Sequence, residues 1–301
     1  MGLGINVLSL FDGISGTQEA LKEMNVNVNN YYASEINKHT IAITQYQFPN
    51  TIQIGDVCKV SGKELPSIDL MTWGSPCSDL SSAGKQKGLG GEHSILFWEA
   101  VRLWKVIKPK YFLMENVASM KNSDRDIISN TLGVIPIKIN SALLSAQYRN
   151  RYYWTNINGV EGLFKNDIPQ PINKNIFLKD IILTTVQKDN TIILNTDKQI
   201  KKFNNIKVAF DKSNCLTQAL SRGGSSSEYI TVLKQMEKLT GVIRSLYPIE
   251  CERLQTFPDD YTKIGNYGGI IKEVSKTHRM NALGNSFTVA VIKHILSFAN
   301  L

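Results

Sequence analysis

The sequence predicts an α/β fold on a mostly parallel sheet with a smaller second domain, and three observations carry that prediction. Short apolar runs alternate with helical patterns through the first half of the chain, as strands joined by crossover helices do. Several of the runs stop at a glycine or an acidic residue, at the ends where open α/β sheets bind ligands. After about Leu183 the texture changes: residues 186–243 are polar, rich in Asn, Lys and Ser, and hold the run Ser221-Arg222-Gly223-Gly224-Ser225-Ser226-Ser227. A length of 301 residues accommodates one large domain and a small one. The expected division is a main domain over 1–185 and 281–301, and a mostly β and loop domain over 186–280.

Asn6–Phe11 reads as the first strand, followed by a glycine-containing turn and a helix around Thr17–Met24. Asn30–Ser34 reads as the second strand, and Thr51–Ile54 as a third that ends at Gly55-Asp56. Ile68–Trp73 is a buried strand running straight into Gly74-Ser75-Pro76-Cys77, and the polar, glycine-rich stretch from Ser78 to His93 fits neither period. Between Ser94 and Lys108, Phe97, Ala100, Val101 and Trp104 share one face of a helix that Pro109 closes. Lys110–Met114 is the next strand and delivers Glu115 at its end. A helix over Asp124–Leu132, strands at Val134–Ile139 and Tyr152–Ile157, and an apolar helix over Val289–Phe298 that packs back on the main domain complete the reading.

Hydrophobic residues make up 42% of the chain and charged residues 20%, the balance of a soluble globular protein. No apolar run is long enough to span a bilayer. The opening Met1-Gly2-Leu3-Gly4-Ile5-Asn6 matches neither a secretory signal nor a myristoylation site, so the expected location is the cytoplasm. Cys58, Cys77, Cys215 and Cys251 form no CxxC pair and are expected to be reduced. His39, His93, His278 and His294 lack metal-ligand spacing, and no metal is expected. A formal charge of +8 and a pI near 9.2 favour a polyanionic partner, though many basic proteins bind none.

The residues with chemistry to offer fall at the predicted strand ends. In Leu10-Phe11-Asp12-Gly13-Ile14-Ser15-Gly16 the glycines let backbone amides approach a ligand, although the turn is not a GxGxxG and serves equally well as a purely structural one. Glu35 ends the second strand, where it can accept from ribose hydroxyls, and Asp56 ends the third, where it can accept from an adenine amine. Single acids at strand ends are common caps; acids in register suggest an adenosyl cofactor without phosphates. Cys77, at the carboxyl end of a strand and before a polar loop, is placed as a nucleophile, whereas Cys58, Cys215 and Cys251 read as buried packing residues. Glu115-Asn116-Val117 sets a carboxylate at the next strand end, where it can act as an acid. Gln147, Arg149 and Arg151 alternate along an extended segment and so share a face suited to a phosphate or carbonyl oxygen; a solvated basic edge strand is the plainer alternative.

Taken in order, these segments resemble the motif set of the C5-cytosine DNA methyltransferase family. The likeness runs through Phe11-Asp12-Gly13, Glu35, Gly55-Asp56, Pro76-Cys77, Glu115-Asn116-Val117 and Gln147-x-Arg149-x-Arg151. It continues through Glu252-Arg253-Leu254-Gln255-x-Phe257-Pro258 to Gly284-Asn285-Ser286, and leaves out only about 186–243. Ser75–Ser81, Arg125-Asp126-Ile127 and Ser145–Trp154 are similar to the eukaryotic de novo methyltransferase catalytic domain. Gly84-Lys85-Gln86-Lys87-Gly88, Gln147 and Asn285 resemble prokaryotic members, and the Asn/Ile/Lys-rich usage suits an AT-rich bacterial or phage genome.

The resemblance implies a Rossmann-like S-adenosylmethionine-dependent methyltransferase fold with a target-recognition domain, and DNA (cytosine-5-)-methyltransferase activity. S-adenosyl-L-methionine would be the methyl donor and S-adenosyl-L-homocysteine the product. Cys77 would add to C6 of a flipped-out cytosine, Glu115 would hold the N3/N4 edge and protonate N3, Arg149 and Arg151 would grip the nucleotide, and Pro76 and Asn116 would shape the pocket. The implied cofactor positions are Phe11, Asp12, Gly13, Ile14, Gly16, Glu35, Ile36, Asp56, Val57, Leu96, Asn285 and Ser286. Residues 78–93 would close as a lid, with Ser81, Ser82, Ala83, Lys85 and Lys87 against DNA. Gln218 and Arg222 would also touch DNA, Arg222 as a base reader because arginine on guanine is the commonest direct contact; a phosphate contact is the plainer alternative. Two positions depart from the family pattern: Ser78 follows the nucleophile where many bacterial members carry Gln, and Ile36 stands where a stacking aromatic often follows the acid. The expected partners are double-stranded DNA and, acting separately, a cognate restriction endonuclease, with no membrane and a monomeric state. Restriction–modification, phage self-protection and orphan regulation all fit. A tRNA cytosine methyltransferase ranks lower because that relative usually lacks a sizeable variable domain, and a non-catalytic DNA binder because every catalytic position is filled.

Overall fold

The computed structural model describes residues 4–75, 94–160, 165–183, 191–193, 212–213, 229–234 and 241–301. Seven strands form one sheet: β1 (Ile5–Leu10), β2 (Val28–Ser34), β3 (Ile52–Gln53), β4 (Leu70–Trp73), β5 (Tyr111–Val117), β6 (Ile137–Asn140) and β7 (Asn150–Thr155), in the order β3-β2-β1-β4-β5-β7-β6. The pairs β1–β2, β1–β4, β2–β3 and β4–β5 are parallel, and β7 enters antiparallel between β5 and β6. Chain order reverses between β1 and β4, so a crevice opens there at the carboxyl ends of the strands.

Both faces of the sheet are covered, which is why its strands read as continuous apolar runs. Val7, Leu70 and Leu113 face one cluster, shared with Leu21 of α1 (Gly16–Glu23) and with Val289, Ile292 and Ile295 of α8 (Val289–Leu296). Leu8, Leu10, Met71, Trp73, Phe112 and Met114 face the other, shared with Phe97, Val101 and Leu103 of α3 (Ser94–Ile107) and Ile128 of α4 (Asn122–Leu132).

Three local differences from the sequence reading have physical causes. β6 begins at Ile137 rather than Val134, because Gly133 ends α4 in the left-handed conformation at φ 69 and Pro136 has no N–H for a ladder. A helix not anticipated from the sequence, α2 (Lys38–Gln47), starts where the Asn37 side chain accepts from His39 N at 2.9 Å; its run Thr40-Ile41-Ala42-Ile43-Thr44 has strand-like composition and hides the helical period. Of the 186–280 segment expected to stand apart, Leu246, Cys251, Leu254, Phe257, Tyr261, Val274 and Met280 lie in the same core as Val7. After the small hairpin of β8 (Gly159–Val160) and β9 (Lys165–Asn166) and the short α5 (Leu178–Ile181), that packing brings α6 (Pro248–Leu254), α7 (Lys276–Asn285) and the hairpin of β13 (Ile264–Tyr267) and β14 (Ile270–Glu273) into the main body. The rest holds an antiparallel sheet of β10 (Thr191–Ile193), β12 (Gly241–Ser245) and β11 (Tyr229–Lys234). No helix among the described residues is long and apolar enough to cross a membrane.

Candidate active site at the strand ends

The turn after β1 is held in a conformation that side chains rarely adopt. Phe11, Gly13 and Ser15 have φ of 54, 60 and 57, so left-handed residues alternate through five positions, two of them bearing side chains. Such strain persists only where the surroundings over-determine it, and it clusters at ligand clamps. Here Gly13 N donates to Glu35 Oε2 at 2.9 Å, Asp12 N to Ser34 O at 3.1 Å, and the Tyr31 and Ser15 hydroxyls to the Asp12 carboxylate at 2.8 and 2.5 Å. Burial drives the Asp12 carboxyl above its ordinary range despite these hydroxyl donors. Its side chain therefore locks the turn from beneath and is not presented to a ligand. Ile14 is fully buried, with its carbonyl accepting from Tyr261 OH at 2.8 Å.

At the rim of the crevice, Glu35 Oε1 accepts from Ile36 N and Asn37 N at 2.7 and 2.8 Å. With Gly13 that makes three amides fixing one half-exposed carboxylate, while Ile36 itself is 76% exposed. Asp56 Oδ1 caps the short turn Val57–Lys59 through Cys58 N at 3.0 Å, and Val57 is buried. Cys58 differs from the sequence reading: it is exposed, and desolvation, followed by the charges of Asp56 and Glu99, pushes its thiol up, away from nucleophilic character. Phe11 and Leu96 are partly buried against the Trp73 cluster.

Across the switch point, the carboxyl end of β4 meets that of β5. A Cβ on Gly74 would lie 2.9 Å from the Phe287 ring and 3.3 Å from Glu115 Oε2, so only glycine lets the chain pass between them. Asn116 Nδ2 donates to the Ser75 hydroxyl and carbonyl at 3.2 and 3.4 Å and so pins the turn that leads into the next two residues. Those two, Pro76 and Cys77, lie outside the described residues, as do Ser81, Ser82, Ala83, Lys85, Lys87, Cys215, Gln218 and Arg222. Glu115 Oε1 pairs with Arg151 Nε at 2.6 Å, both side chains being 13% exposed. One carboxylate oxygen is thus committed to the arginine and the other faces the Gly74 turn.

The predicted Gln147–Arg149–Arg151 face is a buried network rather than a solvated edge. Arg149, 4% exposed, donates to Ser286 O at 2.8 Å and Gly284 O at 3.3 Å. Among the described residues Arg149 thus grips backbone, while Arg151 reaches Glu115. Gln147 Nε2 donates to Leu254 O at 3.1 Å. Gln255, inside the Glu252–Pro258 motif, has a task that its sequence context does not reveal. Its side chain donates to Leu283 O at 2.8 Å and accepts from Thr288 Oγ1 at 2.8 Å, so the 283–288 segment is fastened from both sides. Phe287, next to Asn285 and Ser286, is the second residue that sequence reasoning missed: Gly16 and Gly74 both close on it, at Cβ distances of 3.5 and 2.9 Å. Glycines at 16 and 74 facing an aromatic at 287 leave no signal at short range.

The C-5 cytosine-specific DNA methylase family matches the chain over residues 5–298. The Type II methyltransferase M1.ScrFI of Lactococcus lactis subsp. cremoris is 28% identical, over 96% of this chain and 76% of its own length. The Type II methyltransferase M.HhaI of Haemophilus parahaemolyticus is 23% identical, over 97% and 93%. Among solved structures, Entamoeba histolytica methyltransferase EhMeth superposes with a TM-score of 0.76 at 18% identity, covering 99% of this chain and 98% of that one. Dnmt2 methyltransferase of S. pombe gives 0.74 at 17%, covering 99% and 100%. At these identities the two structures establish the fold.

Proposed function

The chain belongs to the C-5 cytosine-specific DNA methylase family, and from that premise we propose that it methylates a cytosine turned out of duplex DNA through a transient covalent bond to Cys77. The observation that carries the proposal is the meeting of three features at one sheet edge: the Glu115–Arg151 pair, the pinned Gly74-Ser75 turn leading to Cys77, and the Glu35 rim. C5 of cytosine is a poor nucleophile. A Cys77 thiolate would add at C6, forming an S–C6 bond, while N3 takes a proton from the Glu115 carboxyl so that negative charge does not build up in the ring. Arg151 holds Glu115 Oε1, which aims Oε2 at the base. After methyl transfer, a solvent water would take the proton from C5, the C6–S electron pair would return to sulfur, and N3 would give its proton back to Glu115, releasing 5-methylcytosine and the thiolate. Asn116 acts by holding Ser75, and with it the approach of Cys77.

The residues at the rim fit S-adenosylmethionine. Glu35 keeps acceptor capacity on Oε2 for ribose hydroxyls, Asp56 holds the next turn through Oδ1, and Phe11, Val57 and Leu96 supply apolar walls. When bound, that group would supply an electrophilic methyl on a sulfonium and leave as S-adenosylhomocysteine. Gly13 and Ile14, Gly16 behind Ser286, and the 284–286 backbone held by Arg149 shape the rest of this pocket.

Residues 186–245, Ser81, Ser82, Ala83, Lys85 and Lys87, with Gln218 and Arg222, would face double-stranded DNA, in keeping with the charge of +8. The likeness to Type II methyltransferases over nearly the whole chain supports a place in restriction–modification beside a separate endonuclease. A second reading, an orphan phage-type enzyme, is supported by Orphan methyltransferase M.SPRI of Bacillus phage SPR, 31% identical over 54% of this chain and 39% of its own length. Incubation with mixed-sequence duplex DNA and labelled S-adenosylmethionine, followed by base-resolution sequencing, should show 5-methylcytosine in one sequence context and none with Cys77→Ala. Methyl transfer confined to tRNA would remove the DNA reading, and a Cys77→Ala protein that still methylates DNA would remove the covalent one.

A further inference from the structure

Three elements meet around the cofactor positions, and two of their joins lie at that pocket itself. The Phe11–Gly16 turn is joined to the start of α2 where Gly13 N donates to Glu35 Oε2 at 2.9 Å, while Glu35 Oε1 accepts from Ile36 N and Asn37 N. The same turn meets the end of α7, where a Cβ on Gly16 would lie 3.4 Å from Ser286 Oγ. The third join, between α2 and α7, is a pair of half-buried histidines. His39 and His278 stack with ring centroids 3.5 Å apart and planes inclined by 15°. Each sits in the first turn of its helix behind a cap: Asn37 Oδ1 accepts from His39 N at 2.9 Å, and Ser275 Oγ from His278 N at 3.5 Å.

The surroundings oppose a positive charge on the stack. A helix N-terminus is the positive end of its dipole, and two such ends converge here. Lys38 precedes His39 on α2, Lys276 opens α7, and Lys272 of β14 lies 4.5 Å from the centre of the Tyr267 ring. Of the acids on or beside these elements, Glu252 and Asp260 lie 2.8 and 3.7 Å from Arg279, Glu35 is held by its backbone amides, and Glu273 is exposed on β14. Burial, followed by the charges of His278, Lys38 and Lys272, pushes His39 below its ordinary value of 6.5. The Tyr267 hydroxyl lies 2.9 Å from His39 Nδ1 and serves either state, donating to a neutral ring and accepting from a charged one. A proton therefore costs the stack and spares this bond.

We propose that His39 and His278 are positioning residues whose stacking as neutral rings closes this circuit, setting the Glu35 rim against the Ser286 side of the cofactor pocket, and that a proton on the pair opens it. The proposal rests on the S-adenosylmethionine reading above and places a control of that pocket in the first turns of two helices. Its sign follows from linkage: stability tied to His39 is full above 6.5 and is lost as pH falls through the lower folded value. Cofactor affinity should fall with it.

Calorimetry of S-adenosylhomocysteine binding between about pH 8 and about pH 5 tests this. Wild-type affinity should fall about tenfold over that range, and His278→Phe, which keeps a ring to stack and carries no charge, should cut the fall to about twofold. His278→Lys, which sets a permanent charge against His39, should weaken binding at every pH. Groups elsewhere in the pocket are the same in all three proteins and drop out of the comparison. An equally steep fall in His278→Phe and wild type would assign the pH dependence to other groups and overturn the proposal. Variants that melt earlier yet keep the wild-type affinity and pH profile below their melting points would overturn it too, because the stack would then be a structural tie alone. If His278→Phe does not fold, His278→Gln, uncharged throughout, is read in the same assay. Wild-type protein that binds no S-adenosylhomocysteine at any pH would instead count against the cofactor reading.

Discussion

Arg149 and Asp12 are polar side chains turned inward to hold the chain itself, Arg149 on backbone carbonyls and Asp12 on the hydroxyls of Ser15 and Tyr31. The guanidinium fork of Arg149 spans the carbonyls of Gly284 and Ser286, a geometry that a lysine point charge does not reproduce. Arg149→Lys should therefore raise KM for S-adenosylmethionine by about tenfold with little change in KM for DNA, in steady-state kinetics with each substrate varied in turn. The reverse pattern would return Arg149 to the nucleotide. Asp12 has its folded-state pKa raised by burial, so the native state binds its proton more tightly than the unfolded chain does. Stability linked to Asp12 is then full below the ordinary carboxylate value of 3.8 and is lost as pH rises through the higher folded value. Asp12→Asn should flatten this loss, narrowing the drop in melting temperature from acidic to neutral pH relative to wild type; an unchanged drop would mean the slope comes from other groups such as Glu19. Glu35 and Asp56 were legible as acids beyond strands because each sits one or two residues past an apolar run; Glu115 follows such a run too, but β5 continues through it to Val117, where β7 goes on pairing. The task of Arg149 was not, since its partners lie 135 and 137 residues away.

At the scale of elements, β4 and β5 were legible because a strand buried on both faces leaves an unbroken apolar run. The α2 helix was not, because its β-branched residues mask a helical period that the Asn37 cap and packing against β13 enforce. α6 and α7 escaped notice for another reason: Glu252 and Arg279 are polar in sequence yet form a buried pair at 2.8 Å, so the helices that bear them do not advertise a core. The junction of β4 with its turn makes the sharpest prediction at this scale. Gly74→Ala would drive a methyl to within 2.9 Å of the Phe287 ring and 3.3 Å of Glu115 Oε2. Overpacking of this kind costs about 1–3 kcal/mol in denaturant unfolding, and the displaced Glu115 should slow methyl transfer beyond what the stability loss explains. Gly74→Ala together with Phe287→Leu should recover the stability; failure to do so would mean the clash lies elsewhere.

The molecule as a whole carries a charge of +8, while Glu35 and Asp56 set carboxylates at the crevice rim. DNA affinity should accordingly fall with salt by roughly 0.9 log units per phosphate contact per decade of salt, while affinity for S-adenosylhomocysteine stays nearly flat. Fluorescence anisotropy and calorimetry across a salt series check both, and a flat DNA response would separate the basic charge from DNA binding. The covering of the first sheet face has a further consequence, for synthesis. Val289, Ile292, Ile295 and Leu296 of α8 close over the core that Val7, Ile14 and Leu21 begin. A ribosome makes the reaction-centre residues long before it makes that cover, so the nascent chain carries its chemistry on a sheet whose apolar face is still wet. The core is closed only once α8, which ends at Leu296, has docked on that face. A message cut short yields no partially active marker of DNA, only a chain whose exposed face invites proteolysis.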